Sequence, residues 1–321
     1  MSTPRIAILM AVYEPDMDWL AQQLDSLDAQ TYSNLFLYVR DDCSPTTPHE
    51  VIAACVQEHI TAFPFTLARN EENLGSNATF EKLTAEAEGD YFAYCDQDDV
   101  WLPDKLTTLL SDMLRENAQL VCSDMHVIDA QGRQTAECIT QVRRHQVLRG
   151  GTGLAPDLLT HNFVTGCTML VHAETAKAAL PFCPYMVHDQ YLALWSAARG
   201  RIYSEPRPLI CYRLHGGNQT SGMAGVADKA SYCRVRIDES IRKFEWLQAH
   251  FPCEPELSAQ MERDLAWLRA RQKYWREKKG AAVLWRLRNC GKQITLFELF
   301  AAHFPQKLFL FFIQLYRKNI I

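Results

Sequence analysis

Short apolar runs alternate with stretches of helical periodicity over the first 125 residues, and this alternation restricts the chain to few folds. Five runs have the composition of buried strands, at residues 6–10, 35–39, 65–67, 91–95 and 120–122. Between them, apolar side chains recur on single helical faces: Leu20, Leu24 and Leu27; Val51, Ile52, Cys55 and Val56; Leu106, Leu109, Leu110, Met113 and Leu114. Such strand–helix–strand units predict an α/β fold with a Rossmann-like, mostly parallel sheet and helices on both faces.

Two further blocks follow these units. Residues 131–153 are polar and rich in glycine, which predicts a loop or a small excursion. The next block predicts a strand pair, or a strand and turn, over 163–172, a helix over 190–199 and a short strand over 209–212. After Val226 the apolar periodicity is helical throughout. We therefore expect an α/β domain over residues 1–225 and a C-terminal helical appendage over 226–321.

Composition and cysteine spacing narrow the class of protein. With 321 residues, 48% hydrophobic and 22% charged, the chain can bury a large core and is expected to be compact. Its eleven cysteines include no CxxC pair, so structural zinc is not expected and all eleven are interpreted as free thiols. Because no signal-peptide pattern opens the sequence, we expect a reducing, cytoplasmic location.

Charge is distributed unevenly along the chain. The net charge is -5, yet residues 269–318 hold twelve Lys and Arg against two acids, so this stretch carries +10 and the remainder -15. The basic stretch is also rich in aromatic residues, which suits an anionic membrane surface; a solvated basic face is the alternative. The apolar run 308–313 is too short to cross a bilayer. No recognisable nucleic-acid-binding module accompanies the charge, so nucleic acid is not an expected partner.

An acidic cluster follows the fourth predicted strand and is the strongest chemical signal. Asp96 and Asp98 can face the same side as the chain leaves the strand, with Asp99 close behind. Crowded carboxylates repel one another, and a divalent cation such as Mg²⁺ or Mn²⁺, shared with phosphate oxygens, resolves that repulsion. The alternative is that Asp98 or Asp99 caps the helix that begins near Pro103.

Polar residues also follow the second and third predicted strands. Asp41 and Asp42 could accept hydrogen bonds from a nucleoside, although an Asx turn explains the pair equally well. Arg69 could balance phosphate charge, and the turn containing Asn73 and Gly75 opens the next helix. A solvated arginine and a simple turn remain the alternatives.

Two motifs near residues 188 and 215 complete the candidate site. Asp189 is either the N-cap of the following helix or a general base that removes a proton from an acceptor hydroxyl. Arg213 and His215 precede a glycine pair, so this loop could close over a diphosphate, with His215 as a metal ligand or hydrogen-bond donor. A surface histidine in a glycine turn is the alternative.

Taken in order, these elements resemble glycosyltransferase family 2, the inverting GT-A enzymes, and especially bacterial rhamnosyltransferase-like members. The resemblance covers about two thirds of the chain and rests on these segments: Ile8-Leu-Met-Ala-Val-Tyr13, Val39-Arg-Asp-Asp-Cys-Ser44, Asn73-Leu-Gly75, Asp96-Gln-Asp-Asp-Val-Trp101, His188-Asp189 and Tyr212-Arg-Leu-His-Gly216. It implies that Asp189 is the catalytic base and that His215 closes over the diphosphate. It also implies donor contacts from Ala11, Tyr13, Asp41 or Asp42, Gln97 and Asp96, a metal held by Asp96, Asp98 and His215, and acceptor or supporting roles for Asp99, Trp101 and His188.

The resemblance implies a reaction and its partners. A dTDP- or UDP-linked sugar, rhamnose or another hexose, would pass with inversion to a hydroxyl of a surface polysaccharide or a lipid-linked oligosaccharide. The enzyme would then work in the cytoplasm, on the inner face of the cell membrane. Three positions depart from the family pattern beside donor and acceptor: Cys43, Gln190-Tyr191 and Gly217. A sugar nucleotidyltransferase and a non-catalytic membrane scaffold are the rival interpretations. The first would need a glycine-rich phosphate loop after the first strand, and residues 10–15 of this chain contain no glycine.

Overall fold

The computed structural model describes residues 3–144, 146–215 and 225–317. It divides into two compact units, Met1–His215 (the N-terminal unit) and Gly216–Ile321 (the helical unit). The expected boundary at residue 225 falls just after residues 216–224, which lie outside the described residues, as does the departure at Gly217. The domain assignment therefore stays a prediction.

A single mixed sheet forms the centre of the N-terminal unit, in the order β3-β2-β1-β4-β8-β6-β9-β5 with β7 beside β6. Its strands are β1 Ile6–Val12, β2 Leu35–Asp41, β3 Phe65–Arg69, β4 Tyr91–Cys95, β5 Val100–Trp101, β6 Ala118–Ile128, β7 Gln134–Ala136, β8 Met169–His172 and β9 Arg201–Arg213. Strands β3, β2, β1 and β4 are parallel neighbours, as the βαβ pattern predicts. The pairing of β6 with β9 is parallel, while β8, β5 and β7 pair antiparallel, so parallel pairing is confined to part of the sheet.

The central strands of this sheet are buried on both sides because helices cover both of its faces. All five residues of β4 are buried, and in β1 all but Ala11 are. The helices of this unit are α1 Met17–Asp28, α2 His49–His59, α3 Ser76–Glu86, α4 Lys105–Glu116, α5 Ile139–Val142, α6 Ala155–Leu158, α7 Ala173–Ala178 and α8 His188–Ala197. Helix α1 shows the local logic. The Asp16 side chain accepts hydrogen bonds from the Asp18 and Trp19 amides, at 3.1 and 3.2 Å, and the predicted leucine face is buried.

Two strands are much longer than the sequence pattern predicts. Strand β6 has 11 residues instead of the expected three, and β9 has 13 instead of four. They pair with register shifts, and buried Ser123 and Asp124 interrupt the apolar pattern of β6 while Pro206 and Pro208 interrupt that of β9. Residues 131–153, expected as a loop or excursion, contain β7 and the single turn α5. Residues 163–172 form a 3-10 turn followed by β8, the strand-and-turn alternative.

The helical unit contains α9 Lys229–Cys233, a π-helical turn Arg234–Asp238, α10 Glu239–His250, α11 Pro255–Glu277, α12 Ala281–Arg286, α13 Lys292–Ala301 and α14 Gln306–Arg317. Its interior contains packed aromatic rings and a buried ion pair between Arg271 and Glu298. Tyr232 lies 4.7 Å from the Trp275 ring and 5.5 Å from the Phe309 ring. The Arg271 guanidinium donates two hydrogen bonds to Glu298, at 2.8 and 2.6 Å, and Tyr232 Oη donates a third at 2.9 Å. Among the described residues, no helix has both the length and the apolarity needed to cross a bilayer.

We expect Glu298→Gln to destabilise the protein strongly. The Arg271 and Glu298 side chains are 4% and 1% exposed, so the variant leaves a guanidinium charge buried without its counter-charge. Breaking a buried pair in this way costs roughly 3–5 kcal/mol. The measurement is the free energy of unfolding in urea. The matched control is Glu245→Gln, which breaks an exposed ion pair with Arg269 in the same unit and should leave the transition nearly unchanged. Equal effects of the two variants would contradict this account.

Candidate active site

The loops that follow β1 and β4 are joined by one side chain. The Gln97 amide oxygen accepts from the Tyr13 amide at 2.7 Å, and the Gln97 amide nitrogen donates to the Tyr13 carbonyl at 3.0 Å. Because β1 and β4 are parallel neighbours, their carboxyl ends meet at one sheet edge, where ligands bind in open α/β sheets. Gln97 thus fixes the half-exposed Tyr13 beside the acid turn, which we define as Asp96–Asp99. Ala11 lies in β1, two residues before Tyr13, and pairs with Arg40 of β2.

The acid turn separates its carboxylates into different environments. Asp98 Oδ2 lies 2.7 Å from His215 Nε2, and both side chains are about four-fifths buried. Asp99 points inward: its Oδ1 accepts from the Arg213 amide at 2.9 Å, and its buried Oδ2 has no hydrogen-bond partner among the described residues. Neither acid caps α4, whose N-cap position is Asp104 without a side-chain cap bond. The capping alternative for Asp98 and Asp99 is therefore not what the structure shows.

Arg213 braces this turn from behind. Its Nε donates to the Asp98 carbonyl at 2.7 Å, and its terminal nitrogens donate to the carbonyls of Asp129 and Ala130 and, at 2.8 Å, to Gln22. With 1% of its surface exposed, the guanidinium supports the loop that carries Asp98 and is not presented to solvent. His215, two residues later, packs its ring 4.9 Å from that of Trp19.

Burial and crowding raise the pKa of two carboxyl groups in the acid turn, those of Asp96 and Asp99. Burial raises the pKa of Asp96 to about 7, and the nearby carboxylates of Asp98 and Asp189 add to the effect. Burial, with Asp98 and Asp96 beside it, also raises the pKa of Asp99 well above its usual range. A free-energy cost of this kind is what a bound cation relieves, because it stabilises the ionised carboxylates. The turn therefore has the electrostatics of a cation site.

The chemistry of the donor set fits a hard divalent cation. Ligand atoms of Asp96, Asp99 and Cys167 lie within 4.8 Å of one another, but Asp99 faces the core and burial raises the pKa of the Cys167 thiol well above its usual range. Carboxylate oxygens suit Mg²⁺ and Mn²⁺ better than a thiol does. Asp96 and Asp98 supply carboxylate oxygens of this kind, and the His215 imidazole lies 2.7 Å from Asp98.

Lys105 is a site residue that the sequence did not disclose. It is fully buried on the first turn of α4, where its Nζ donates to the Cys167 carbonyl at 2.5 Å and lies 3.0 Å from the Trp101 ring centroid. Burial lowers the pKa of Lys105 to about 7, against the opposing effect of Asp96 and Asp99. Trp101 is only 2% exposed, so it supports this lysine from within the core.

Asp189 is held as an acceptor by three donors. Its Oδ1 accepts from the Asn162 side chain at 3.0 Å and from the Gln190 amide at 2.5 Å, while Oδ2 accepts from the Gly166 amide at 3.1 Å. The N-cap of α8 is Val187, so Asp189 does not occupy the capping position. Burial raises the pKa of Asp189 to about 6, although these hydrogen bonds oppose the shift. A carboxylate tuned in this way suits a general base near neutral pH.

His188 lies under the same loop and is locked in its neutral form. Its ring packs 4.2 Å from Phe80 and 5.3 Å from Tyr94, and burial lowers the pKa of His188 to about 3. A Cβ atom on Gly166 would lie 2.7 Å from His188 Nε2, so only glycine fits at this contact. The His188 ring therefore packs closely against Gly166, whose amide donates to Asp189. Neither Gly166 nor Asn162 carries a sequence signal that would have identified it.

The two acids at the end of β2, Asp41 and Asp42, are hydrogen-bonded by neighbouring loops. Asp41 is buried and accepts from the Ser44 amide at 2.9 Å, with Arg69 Nε at 3.4 Å. Asp42 accepts from Asn70, from the Leu74 amide at 2.9 Å and from the Gly75 amide at 2.8 Å. Asn73 donates to the Asp42 carbonyl at 3.4 Å. Gly75 has a φ of +80°, which favours glycine at the start of α3. Through these hydrogen bonds the two acids order the loops that follow β2 and β3.

Comparison with known proteins gives one family and one fold. The family described as "Glycosyl transferase family 2" matches residues 7–175. The dTDP-rhamnosyl transferase RfbG of Shigella flexneri is 24% identical over 245 residues, 71% of this chain and 78% of the relative. An uncharacterized glycosyltransferase of Nostoc is 23% identical over 66% of this chain and 65% of its own length.

Solved structures resemble most of the chain. S. aureus TarS in complex with UDP-GlcNAc has a TM-score of 0.58 at 14% identity, covering 92% of this chain and 84% of that one. The Pyrobaculum calidifontis mannosyltransferase PcManGT, solved with GDP-Man and Mn²⁺, has a TM-score of 0.54 at 13% identity, covering 92% and 76%. At these identities the likeness establishes the fold, and it confirms the expected GT-A type of α/β architecture.

Proposed function

The chain belongs to glycosyltransferase family 2, and from this premise we propose that it transfers a sugar from a nucleoside diphosphate to an acceptor hydroxyl with inversion at the anomeric carbon. One observation carries the proposal most directly. Two carboxylates, Asp96 in the acid turn and Asp189 in the first turn of α8, lie close enough for the charge of Asp189 to raise the pKa of Asp96. Donor chemistry and proton removal would thus share one site.

Each residue of the site has a distinct role in this proposal. Asp96, Asp98 and His215 would hold Mg²⁺ or Mn²⁺, which when bound supplies electrostatic stabilisation of the departing diphosphate. The Asp98 and His215 side chains already lie 2.7 Å apart, and Arg213 fixes the backbone of Asp98. Asp99 and Lys105 support this arrangement from the core.

Asp189 would act as the general base. Its oxygen takes the proton of the acceptor hydroxyl while that oxygen attacks the anomeric carbon, and the bond between that carbon and the diphosphate oxygen breaks. The electron pair of that bond leaves with the nucleoside diphosphate. Asn162 and Gly166 hold the carboxylate in position through hydrogen bonds of 3.0 and 3.1 Å.

The donor is proposed to be a dTDP- or UDP-linked sugar, rhamnose or another hexose. The named relative is a dTDP-rhamnosyl transferase, whereas the solved structures hold UDP-GlcNAc and GDP-Man, so base and sugar vary across this fold. The nucleoside would bind at the sheet edge that holds Tyr13, Asp41, Asp42 and Arg69. The acceptor would be a hydroxyl of a surface polysaccharide or of a lipid-linked oligosaccharide. Residues 226–321 are proposed to place the enzyme on the inner face of the cell membrane.

A panel of nucleotide-sugars tests the proposed function. We expect a dTDP- or UDP-linked hexose to raise the melting temperature of the full chain with Mn²⁺ and much less with EDTA, and to be slowly hydrolysed. Matched mixtures of free sugar and inorganic pyrophosphate are the control. A non-catalytic scaffold would show neither effect. A sugar nucleotidyltransferase would instead convert nucleoside triphosphate and sugar 1-phosphate to nucleoside-diphosphate-sugar and pyrophosphate, and that result would overturn the proposal.

A further inference from the structure

The last three helices, α12, α13 and α14, have large apolar side chains on their exposed sides as well as in their core. Leu284, Phe309 and Ile313 face inward and are at most 2% exposed. On the other sides of the same helices large apolar side chains are exposed, among them Trp285 at 44%, Phe300 at 65% and Phe311 at 53%. Val283, Ile294, Leu296, Leu308 and Tyr316 add to this surface. A helix that is apolar outside its core-facing stripe points to a second apolar environment.

The exposed charges of residues 278–316 have one sign. Within residues 278–316, all of which the structure describes, Glu298 is the only acid, and it is buried against Arg271. The cations of the segment are exposed or partly exposed: Lys278, Lys279, Arg286, Arg288, Lys292 and Lys307. Burial of Glu298 thus removes the one negative charge from a surface on which cations and aromatic rings are mixed. Arg288 lies 4.5 Å from the Trp285 ring centroid, which keeps one cation beside an exposed ring.

We propose that these exposed side chains of α12, α13 and α14, the basic-aromatic face, dock in the plane of an anionic lipid bilayer. Helices α13 and α14 have 10 and 12 residues, and 12 residues extend about 18 Å, less than the roughly 30 Å of a hydrocarbon core. The helices therefore lie on the bilayer, with rings in the headgroup region and cations on anionic headgroups. A second copy of the chain fits poorly, because a two-fold contact sets the same cations against each other.

This inference deepens the membrane placement in the proposed function by assigning it to specific residues. Binding to vesicles needs no nucleotide-sugar, so its failure and the failure of sugar transfer are separate results. The full chain should float with vesicles of phosphatidylcholine containing about one third phosphatidylglycerol, and far less with phosphatidylcholine alone. Raising the salt from about 0.1 to about 0.5 M should weaken the binding.

Paired variants locate the face. Phe300→Ser with Phe311→Ser, and separately Lys292→Glu with Lys307→Glu, should each lower the vesicle partition coefficient about tenfold or more. The matched controls are Leu114→Ser, which changes an apolar side chain 62% exposed in the N-terminal unit, and Arg5→Glu, an exposed cation there; both should bind as the parent does. Nucleotide-dependent thermal shifts in all variants check that the fold is intact.

Three results would overturn the assignment. Either double variant could bind as tightly as the parent, or neutral and anionic vesicles could bind equally. In the third, vesicles fail to bind and the same substitutions abolish a concentration-dependent dimer, which would make the face a contact between copies.

Discussion

Asp189→Asn should lower the turnover number by about 10²- to 10⁴-fold while donor binding stays close to that of the parent protein. The carboxamide cannot accept the acceptor's proton, but it keeps the shape of the side chain and can still accept from Asn162 and Gln190. Its amino group would face the Gly166 amide, so a small loss of stability is also expected. Single-turnover transfer and nucleotide titration measure the two effects separately. A variant that transfers sugar at the normal rate would rule out Asp189 as the base.

The pH dependence of the same step distinguishes a base from a structural carboxylate. Because burial raises the pKa of Asp189 to about 6, its ionised form is lost as pH falls through 6, and turnover should decline on that acidic side. The Asn162 hydrogen bond lowers this pKa, so Asn162→Ala should move the decline to higher pH. A purely structural role predicts a loss of rate that is the same at every pH.

Asp98→Ala should abolish metal-dependent donor binding. The variant removes a carboxylate of the proposed cation site and leaves His215 without its partner at 2.7 Å. Loss of even an indirect partner in a metal site costs 10–100-fold in affinity, so we expect nucleoside-diphosphate binding with Mn²⁺ to weaken by at least about 100-fold. Calorimetric titration of the nucleotide, with Mn²⁺ and with EDTA, measures the effect.

The matched control for Asp98→Ala is Asp104→Ala. Asp104 is an exposed acid six residues along the chain, at the N-cap position of α4 but without a capping bond. The Asp104→Ala substitution removes one negative charge from the same region and should leave donor binding unchanged. If both variants weaken binding equally, the effect is a general loss of negative charge. If Asp98→Ala binds nucleotide normally with Mn²⁺, the proposed ligand set is wrong.

The sequence predicts the part of this fold that depends on local pattern. Strands β1 to β4 and helices α1, α2 and α4 follow from apolar runs and helical faces, and the acid turn follows from three acids beyond a buried strand. Strands β6 and β9 are underestimated because Ser123, Asp124 and two prolines interrupt their apolar runs, although β6 packs inside the sheet. Tertiary burial, which no local window contains, overrides the pattern there.

The site was only partly predictable for the same reason. Asp96, Asp98, Asp189 and His215 stand in recognisable motifs, but their separation in sequence reveals nothing about which hydrogen bonds each acid makes. Lys105 looks like an ordinary charged residue at a helix start, and only the folded chain places it under Trp101 and beside Cys167. The Asn162 side chain and the Gly166 backbone amide each donate a hydrogen bond to Asp189. Many residues could supply such a donor, so only the position in the folded chain identifies these two.

The two-point contact of Gln97 with the backbone of Tyr13 bears on any attempt to redesign donor preference. An insertion or deletion between β1 and α1 that shifts Tyr13 would also displace the Gln97 side chain. Because Gln97 lies between Asp96 and Asp98 in the sequence, both acids would be affected. In the proposed site, base recognition and cation binding would therefore depend on each other. Loop exchange between relatives should succeed only when both segments are transplanted together.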